Sequence, residues 1–573
     1  MAAAAPTMNA DRRWLFGPVS DLLFGCGIAY IGIFALLSFG FNAVEAAIPM
    51  GSFLILSLFV SGPHYGATLL RVYERREDRR AYTIFTIYAT AVIWAAFAVG
   101  VHNALVGSLM FTLYITWSPW HYTGQNYGLA VMFLGRRGVK VSPLAKRLLY
   151  LSFIFSYGVV LVTLHGGGGT AGYTGLAADA GSYRLMQLGM PVGIATLLYW
   201  ALTAGFVGTL GTAVIMLLRV APLRDLTPTL VLVFSQALWF LIPVLARSSG
   251  KLQDVAPLSL RHAEYAALWI VLAHSIQYLW VTTFYAARDE GVAGRTRYYV
   301  KALLAGSAIW GIPTLIFAPS ALGHAPYDLG LFMVVAAAVN LHHFVLDGAI
   351  WKLRDSRIAK ILMRTANHQT DNELDTGPSR GFGKPIVWAM GVAGLVVLVG
   401  GDLERQYGVN RATERGDYER VELAAERLAW IGRDGPHLHH NLALLAQTRG
   451  DLVTAESELL ESLDRYETKN AWHSLGSLRL GQGRSAEALK AFEGALRLNP
   501  YLLMSLVSAS QASLNLGDSD GAIRYLQRAT ALAPGDRGLK QSLMKIRRTH
   551  GDQWGISIHS PAPRDSRAPG RLP

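Results

Sequence analysis

The sequence predicts an all-α protein in two parts, a polytopic bundle of about eleven transmembrane helices followed by a soluble α-solenoid. Three observations carry this. The 573 residues are 52% hydrophobic and only 16% charged, and the apolar residues fall in long runs rather than at scattered core positions. Beyond about residue 414 the runs stop, and a polar helical pattern with a 34-residue period begins. Lysine and arginine gather in alternate connections between the runs, as they do in proteins that cross a membrane many times.

A helical span needs about 20 mostly apolar residues. The stretches that qualify lie near 20–41, 45–70, 82–101, 105–134, 147–165, 190–218, 227–246, 263–287, 299–318, 327–351 and 385–401. The fourth, sixth and eighth are long enough to tilt. No small-residue cleavage site follows the first run, so it reads as a retained span behind Asp11, Arg12 and Arg13. Basic residues set the orientation. With the N-terminus cytoplasmic, 25 lysines and arginines fall in the inner connections and four in the outer ones, Arg184, Arg247, Lys251 and Arg261. This topology accounts for much of the net charge of +13 and argues against a nucleic-acid partner. An odd number of spans then sends the C-terminal part to the far side, the periplasm of a bacterial inner membrane. Between Lys352 and Arg364, basic residues alternate with Ile358, Ile361 and Leu362 at helical spacing, the pattern of a helix lying at the interface. The single cysteine, Cys26, rules out an intrachain disulfide and a cysteine-based zinc site.

The division expected is a membrane domain over 1–401, a solenoid over 402–548 and a disordered tail over 549–573 rich in proline, arginine and serine. Gly483, Ala488, Ala495 and Pro500 recur 34 residues later as Gly517, Ala522, Ala529 and Pro534. Gly450, Ala455 and Leu463 fit an earlier unit one residue out of register, and a half-unit lies near 416–436. Over about 437–534 this pattern resembles the tetratricopeptide repeat, in which paired antiparallel helices stack into a superhelix. The resemblance implies a concave groove for a protein or peptide, with residues 537–548 as a capping helix.

Chemistry is concentrated in four of the apolar runs. They carry His64 in Ser61-Gly62-Pro63-His64-Tyr65, His121 in Trp120-His121-Tyr122-Thr123-Gly124-Gln125, His274 in His274-Ser275-Ile276-Gln277-Tyr278, and His342-His343 followed by Asp347. Ionisable side chains inside a bilayer are costly, and those that persist face a bundle interior and do work. These are the second, fourth, eighth and tenth spans, which all run from outside to inside, and each histidine precedes a basic inner end. At about 1.5 Å per residue the four lie at similar depth, as one shared site requires. Helical phase puts Tyr114, Trp117, His121, Gln125 and Gly128 on one face, His274, Gln277 and Tyr278 on another, and Asn340, His343 and Asp347 on a third. His64 shares its face with Arg71, whereas His342 points away from His343.

The expected metal ligands are therefore His64, His121, His274 and His343. Asp347, Gln125 and Gln277 would orient ligands or water, and Arg71 would hold an anionic headgroup. Imidazoles with a carboxylate suit iron, copper, zinc or manganese, and a lipid-facing redox role favours iron among them. The function these features suggest is metal-dependent oxidoreduction of a membrane lipid or another apolar substrate. The sequence lacks the repeated His-x2-His-His boxes of membrane desaturases. Its single histidines spread over several helices bear a faint resemblance to bacterial carotene-cleaving membrane oxygenases. Rival readings are a transporter or haem-handling protein using the same histidines, and an assembly factor whose histidines merely bond neighbouring helices while the solenoid works. Asp21 reads as a helix cap. His102, His165, His262 and His324 carry no pattern, and Gly166–Gly169, without the lysine of a phosphate loop, reads as a linker.

Overall fold

A computed structural model describes residues 13–73, 82–166, 183–249, 252, 254–259, 262–287, 291–350, 383–533 and 535–553. The interfacial helix expected at 352–364 and residues 554–573 of the expected tail lie outside the described residues. Among the described residues the chain is all-helical, without a β-sheet. Contacts divide it into two compact units, one formed by 1–407 and 427–433, the other by 408–426 and 434–573.

In the first unit, helices form at each stretch read as a span. They are α1 (Ile28–Ala47), α2 (Ser52–Tyr73), α3 (Ile84–His102), α4 (Ala104–Arg136), α5 (Pro143–His165), α6 (Val192–Leu218), α7 (Leu223–Arg247), α8 (Ala263–Ala287), α9 (Val292–Ile316), α10 (Leu331–Ile350) and α11 (Gly383–Leu403). All but α4 are long and apolar enough to cross a membrane. At 33 residues α4 has the length, but Ser108, Thr112, Thr116, His121, Thr123, Gln125 and Asn126 lower its mean hydropathy.

Burial separates inner from outer helices. The apolar stretch of α10 is 78% buried and that of α6 only 17%, so α10 is central and α6 peripheral. Leu331, Val334, Val335, Ala338 and Leu341 of α10 pack with Phe97 of α3 and Met110 of α4 in the main core. Outer faces are also apolar, with Phe39 and Leu197 almost fully exposed.

Small residues bring α2 against α9. A methyl group at Gly66 would overlap the carbonyl oxygen of Ala302, and one at Gly306 would overlap that of Gly62. This is a small-xxx-small crossing, Gly62 and Gly66 against Ala302 and Gly306, and it places the two backbones in contact. Pro63 lies inside α2 and cannot donate to the carbonyl of Phe59. The Tyr299 hydroxyl of α9 fills that vacancy, donating to Phe59 O at 2.7 Å. Farther along α9, Gly311 meets Gly394 of α11 through the same device.

The second unit is built from helical hairpins. Its helices are α12 (Tyr418–Ala429, shared with the first unit), α13 (Pro436–Thr448), α14 (Leu452–Arg465), α15 (Lys469–Gly481), α16 (Ser485–Leu498), α17 (Leu503–Asn515), α18 (Ser519–Leu532) and α19 (Arg537–Gln553). The last of these continues past 549 into the segment expected to be a tail. The turns of α15–α16 and α17–α18 need a left-handed residue. Gly483 has φ 78° and Gly517 φ 81°, which a side chain disfavours. Gly476 and Phe492 pack in one hairpin, where a methyl at Gly476 would meet the ring at 2.6 Å.

One buried cation holds α13 to α14. His439 Nδ1 lies 2.8 Å from Glu458 Oε2, and its Nε2 lies 2.9 Å from Asp434 Oδ1 and 2.8 Å from Arg465 Nε, whose positive charge opposes that of the imidazole. Burial opposes the charge, but the hydrogen bonds to Asp434 and Glu458 outweigh it and push the imidazole up to about 9 from 6.5. A raised folded value stabilises the hairpin fully below 6.5 and ceases to do so as pH rises through 9. Hydrogen exchange of α13 and α14 in the intact protein is expected to report this. Correction for intrinsic rates should leave protection falling by about 2 kcal/mol between pH 6.5 and 9.5. His439→Gln should flatten that dependence, and an equally steep dependence in the variant would refute the assignment.

Candidate metal centre

The four histidines come from four helices, α2, α4, α8 and α10, and meet at one point. One ring nitrogen from each of His64, His121, His274 and His343 lies within 4.8 Å of the other three. His343 Nε2 and His121 Nε2 are 3.1 Å apart. Ring centroids stand 4.3 Å apart for His64 and His343, 5.0 Å for His64 and His274, and 5.1 Å for His121 and His274. Two nitrogens on one metal at about 2.1 Å sit about 3.0–3.4 Å apart, and about 4.2 Å when opposite. The cluster therefore fits one ion after a small contraction.

Hydrogen bonding points the same way. His64 Nδ1 and both nitrogens of His274 are buried without a partner. Each orphaned polar atom costs about 1–3 kcal/mol in a dry interior. A metal ion removes that cost for each nitrogen that ligates it. Hydrophobic packing holds the rings in place: Tyr122 stacks on His274 at 3.9 Å and Phe344 on His121 at 4.6 Å.

A second ring of contacts holds His343 at its Nδ1 edge. Thr68 Oγ1 lies 2.9 Å from Asp347 Oδ1, 2.6 Å from the Tyr278 hydroxyl and 2.9 Å from His343 Nδ1. The Tyr278 hydroxyl donates to the same Asp347 oxygen at 2.7 Å. With Nδ1 bonded to Thr68, His343 turns its Nε2 toward the cluster. The other carboxylate oxygen, Asp347 Oδ2, stands 3.5 Å from His343 Nε2 and 3.9 Å from His121 Nε2. Asp347 is thus anchored by one oxygen while the other reaches the edge of the cluster.

The remaining expected site residues play other parts. Gln125 Nε2 donates to Gln277 Oε1 at 2.5 Å and to the main-chain carbonyl of His274 at 3.3 Å. Gln277 Nε2 donates to Gly25 O. The pair therefore fixes α4 to α8 beside the site, and its bonds go to main chain and to each other rather than to an imidazole. Arg71 lies over the Tyr285 ring at 4.2 Å, apart from the cluster. His342 turns away and bonds Thr90 Oγ1 at 3.0 Å. Asn340 accepts the Tyr65 hydroxyl at 2.8 Å. Asp21, read as a cap, reaches back to accept the amides of Leu15 and Phe16 and the indole of Trp280.

Thr68 escaped the sequence reading. The signal was present, since Thr68 follows His64 by one helical turn and shares its face. Thr68→Val keeps the shape and removes the contacts to His343, Asp347 and Tyr278. The expected outcome is a loss of metal affinity of about 10- to 100-fold with the fold intact, read by competition with a chelator of known affinity. Unchanged affinity would remove Thr68 from the site.

A cavity of about 310 Å³ opens beside the cluster, with His121 and Asp347 in its wall. It is otherwise mostly apolar, bounded by Trp117, Trp120, Phe344 and Met132. His64, His274 and His343 lie behind it, so His121 and Asp347 form the exposed edge of the site.

Comparison with known families adds one assignment. Residues 470–501 and 505–536 match the tetratricopeptide repeat. The C-terminal region is a tetratricopeptide repeat domain. Its matched units are the hairpins α15–α16 and α17–α18, and α13–α14 forms a hairpin ahead of them. Such repeats present extended surfaces to protein partners. No curated protein matches the chain.

Proposed function

We propose that the first unit is a metal-dependent oxidoreductase of a bacterial inner membrane, acting on a lipid or other apolar substrate. The second unit holds a protein partner in its groove. The observation that carries the reading is the meeting of four imidazoles from four helices, with three of their nitrogens buried and unpartnered. A structural histidine finds a hydrogen-bond partner in its neighbour; His274 has none at either nitrogen, and His64 has none at Nδ1.

The membrane location rests on ten apolar helices of spanning length and on apolar outer faces that water would not tolerate. The excess of basic residues in alternate connections supports a cytoplasmic N-terminus and a periplasmic repeat domain. All-imidazole ligation with a carboxylate at its edge suits iron best, and copper, zinc or manganese less well. Haem fits poorly. The rings pack edge-to-face on one another at 4.3–5.1 Å, which leaves no slot for a flat macrocycle.

The protein's own groups have distinct tasks. Four imidazoles bind, Thr68 holds His343 by its Nδ1, and Tyr122 and Phe344 lock two rings by stacking. Asp347 Oδ2 is placed to take or hold a proton at the open edge of the site. The apolar wall excludes water and accepts an apolar substrate. The bound metal supplies the redox chemistry.

Elemental analysis of the detergent-purified chain, followed by reduction and reoxidation under EPR and optical detection, tests the reading. Near-stoichiometric metal with a signal that changes reversibly is expected. Metal-free protein from metal-replete cells would end the metal proposal. A stoichiometric but redox-inert ion would end the oxidoreductase part.

A further inference from the structure

The cavity beside the cluster has a shape as well as a polarity. Along α4 its wall runs from Trp117 to Met132, which is about 22 Å at ~1.5 Å per residue. Trp117, His121, Gly124, Gly128 and Met132 follow one face of that helix, so the cavity is elongated along it. Three glycines line it, Gly124 and Gly128 on α4 and Gly348 on α10. At each of them an added methyl group would meet nothing within 4 Å, unlike the tightly packed Gly66 and Gly306. These glycines therefore do not serve helix contact. They leave space, and the space is the cavity.

Polarity is graded along the same path. His121, Gln125, Tyr278 and Asp347 form one polar patch, and the rest of the wall is apolar. Trp117 and Trp120 are 37% and 38% exposed, so the wall continues onto the outer surface of the bundle. On a membrane-embedded helix that surface faces acyl chains. His121 lies near the middle of α4, 17 residues from its start, about 25 Å along the helix. An occupant entering from the side at this depth meets hydrocarbon rather than headgroups.

We infer that the cavity is a lateral channel for one unbranched hydrocarbon chain of a membrane lipid. The chain lies over Gly124, Gly128 and Gly348, with an internal carbon of the chain beside His121 and Asp347. This deepens the proposed function and rests on it for the chemistry, but the channel itself is independent of the metal. Chain shape is the selection rule. A methyl branch needs width beyond what the three glycines leave for a single chain, and even one methyl group changes binding in a fitted apolar slot by about 10-fold or more.

The test uses the full chain in lipid nanodiscs and a palmitic-acid analogue carrying a mid-chain diazirine, with labelled residues found by mass spectrometry. Metal content is measured on the same samples. Labelling is expected at Trp117, Met132 or Phe344, competed by palmitate but not by branched phytanate. Gly124→Leu and Gly128→Leu should reduce it about tenfold while the metal stays bound. Gly124→Ala and Gly128→Ala, for which the structure has open space, should reduce it in part and serve if a leucine variant unfolds. Labelling confined to outer helix faces, or channel labelling equal in wild type and both alanine variants, would overturn the channel. Channel labelling in a metal-free wild type would instead overturn the metal reading and leave the channel standing.

Discussion

Replacing His343 with alanine is expected to drop bound metal from near one per chain to less than about a tenth. His343 is the most connected of the four imidazoles. It lies 3.1 Å from His121, packs on His64 at 4.3 Å, and is the only one tied to Thr68. Its loss removes one ligand and the group through which Thr68 and Asp347 act on the site. Loss of a mere supporting contact costs about 10- to 100-fold in affinity, and a direct ligand costs more. The fold should survive at lower stability, because a buried void replaces one ring and the remaining orphaned nitrogens keep their desolvation penalty. Stability provides the control. Chelation should lower the thermal midpoint of the wild type, since an ion at about 100 times its dissociation constant contributes about 2.7 kcal/mol. The variant should show no further fall. Full metal content in His343→Ala, measured by elemental analysis, would show that the ion resides elsewhere.

Gly66→Ala is expected to be as damaging, from a position that touches no ligand. The added methyl would overlap the carbonyl oxygen of Ala302, which is main chain and cannot swing aside. Relief requires α2 to move away from α9. That displaces His64 and Thr68, on the same helix one turn apart, and opens the contact between Tyr299 and Phe59. Overpacking a well-filled interior costs about 1–3 kcal/mol, and a backbone clash lies at the upper end or beyond. The expected result is about 3 kcal/mol of lost stability by thermal unfolding in detergent, together with weakened metal retention. Gly124→Ala is the matched contrast, since the same chemical change there meets open space. Equal stability of the two alanine variants would mean that α2 and α9 are not in backbone contact.

Much of this arrangement was legible in the sequence because the signals are periodic. Apolar runs of spanning length form helices wherever they occur, and basic connections predict that their directions alternate. Given alternation, the depths of His64, His121, His274 and His343 follow from residue counts, and the structure brings their nitrogens together. Phase separated His343 from His342 and placed Asp347 on the face of His343, one turn on. The 34-residue spacing of Gly483 and Gly517 marked turns that need a left-handed backbone.

What could not be read was which partner each polar side chain finds. Gln125 and Gln277 share the faces of the site histidines, yet they bond to each other and to the main chain of His274. Helical phase gives direction and not the identity of the neighbour. Arg71 shares the face of His64 two turns away, and over that distance it reaches a different neighbour, Tyr285. Thr68 looked like one more small residue in an apolar helix until Asp347 and His343 were seen around it. The cavity was hidden because a glycine in a helix has the same letter whether it admits another backbone, as at Gly66, or leaves room for a ligand, as at Gly128.

X-ray absorption at the metal edge of the purified, metal-replete protein tests the central claim most directly, because imidazole rings scatter with a distinctive outer-shell pattern. A first shell of nitrogen or oxygen at about 2.1 Å is expected, with outer-shell scattering from three to four imidazoles that weakens in His274→Phe. A first shell with no imidazole pattern, or one unchanged by that substitution, would contradict it.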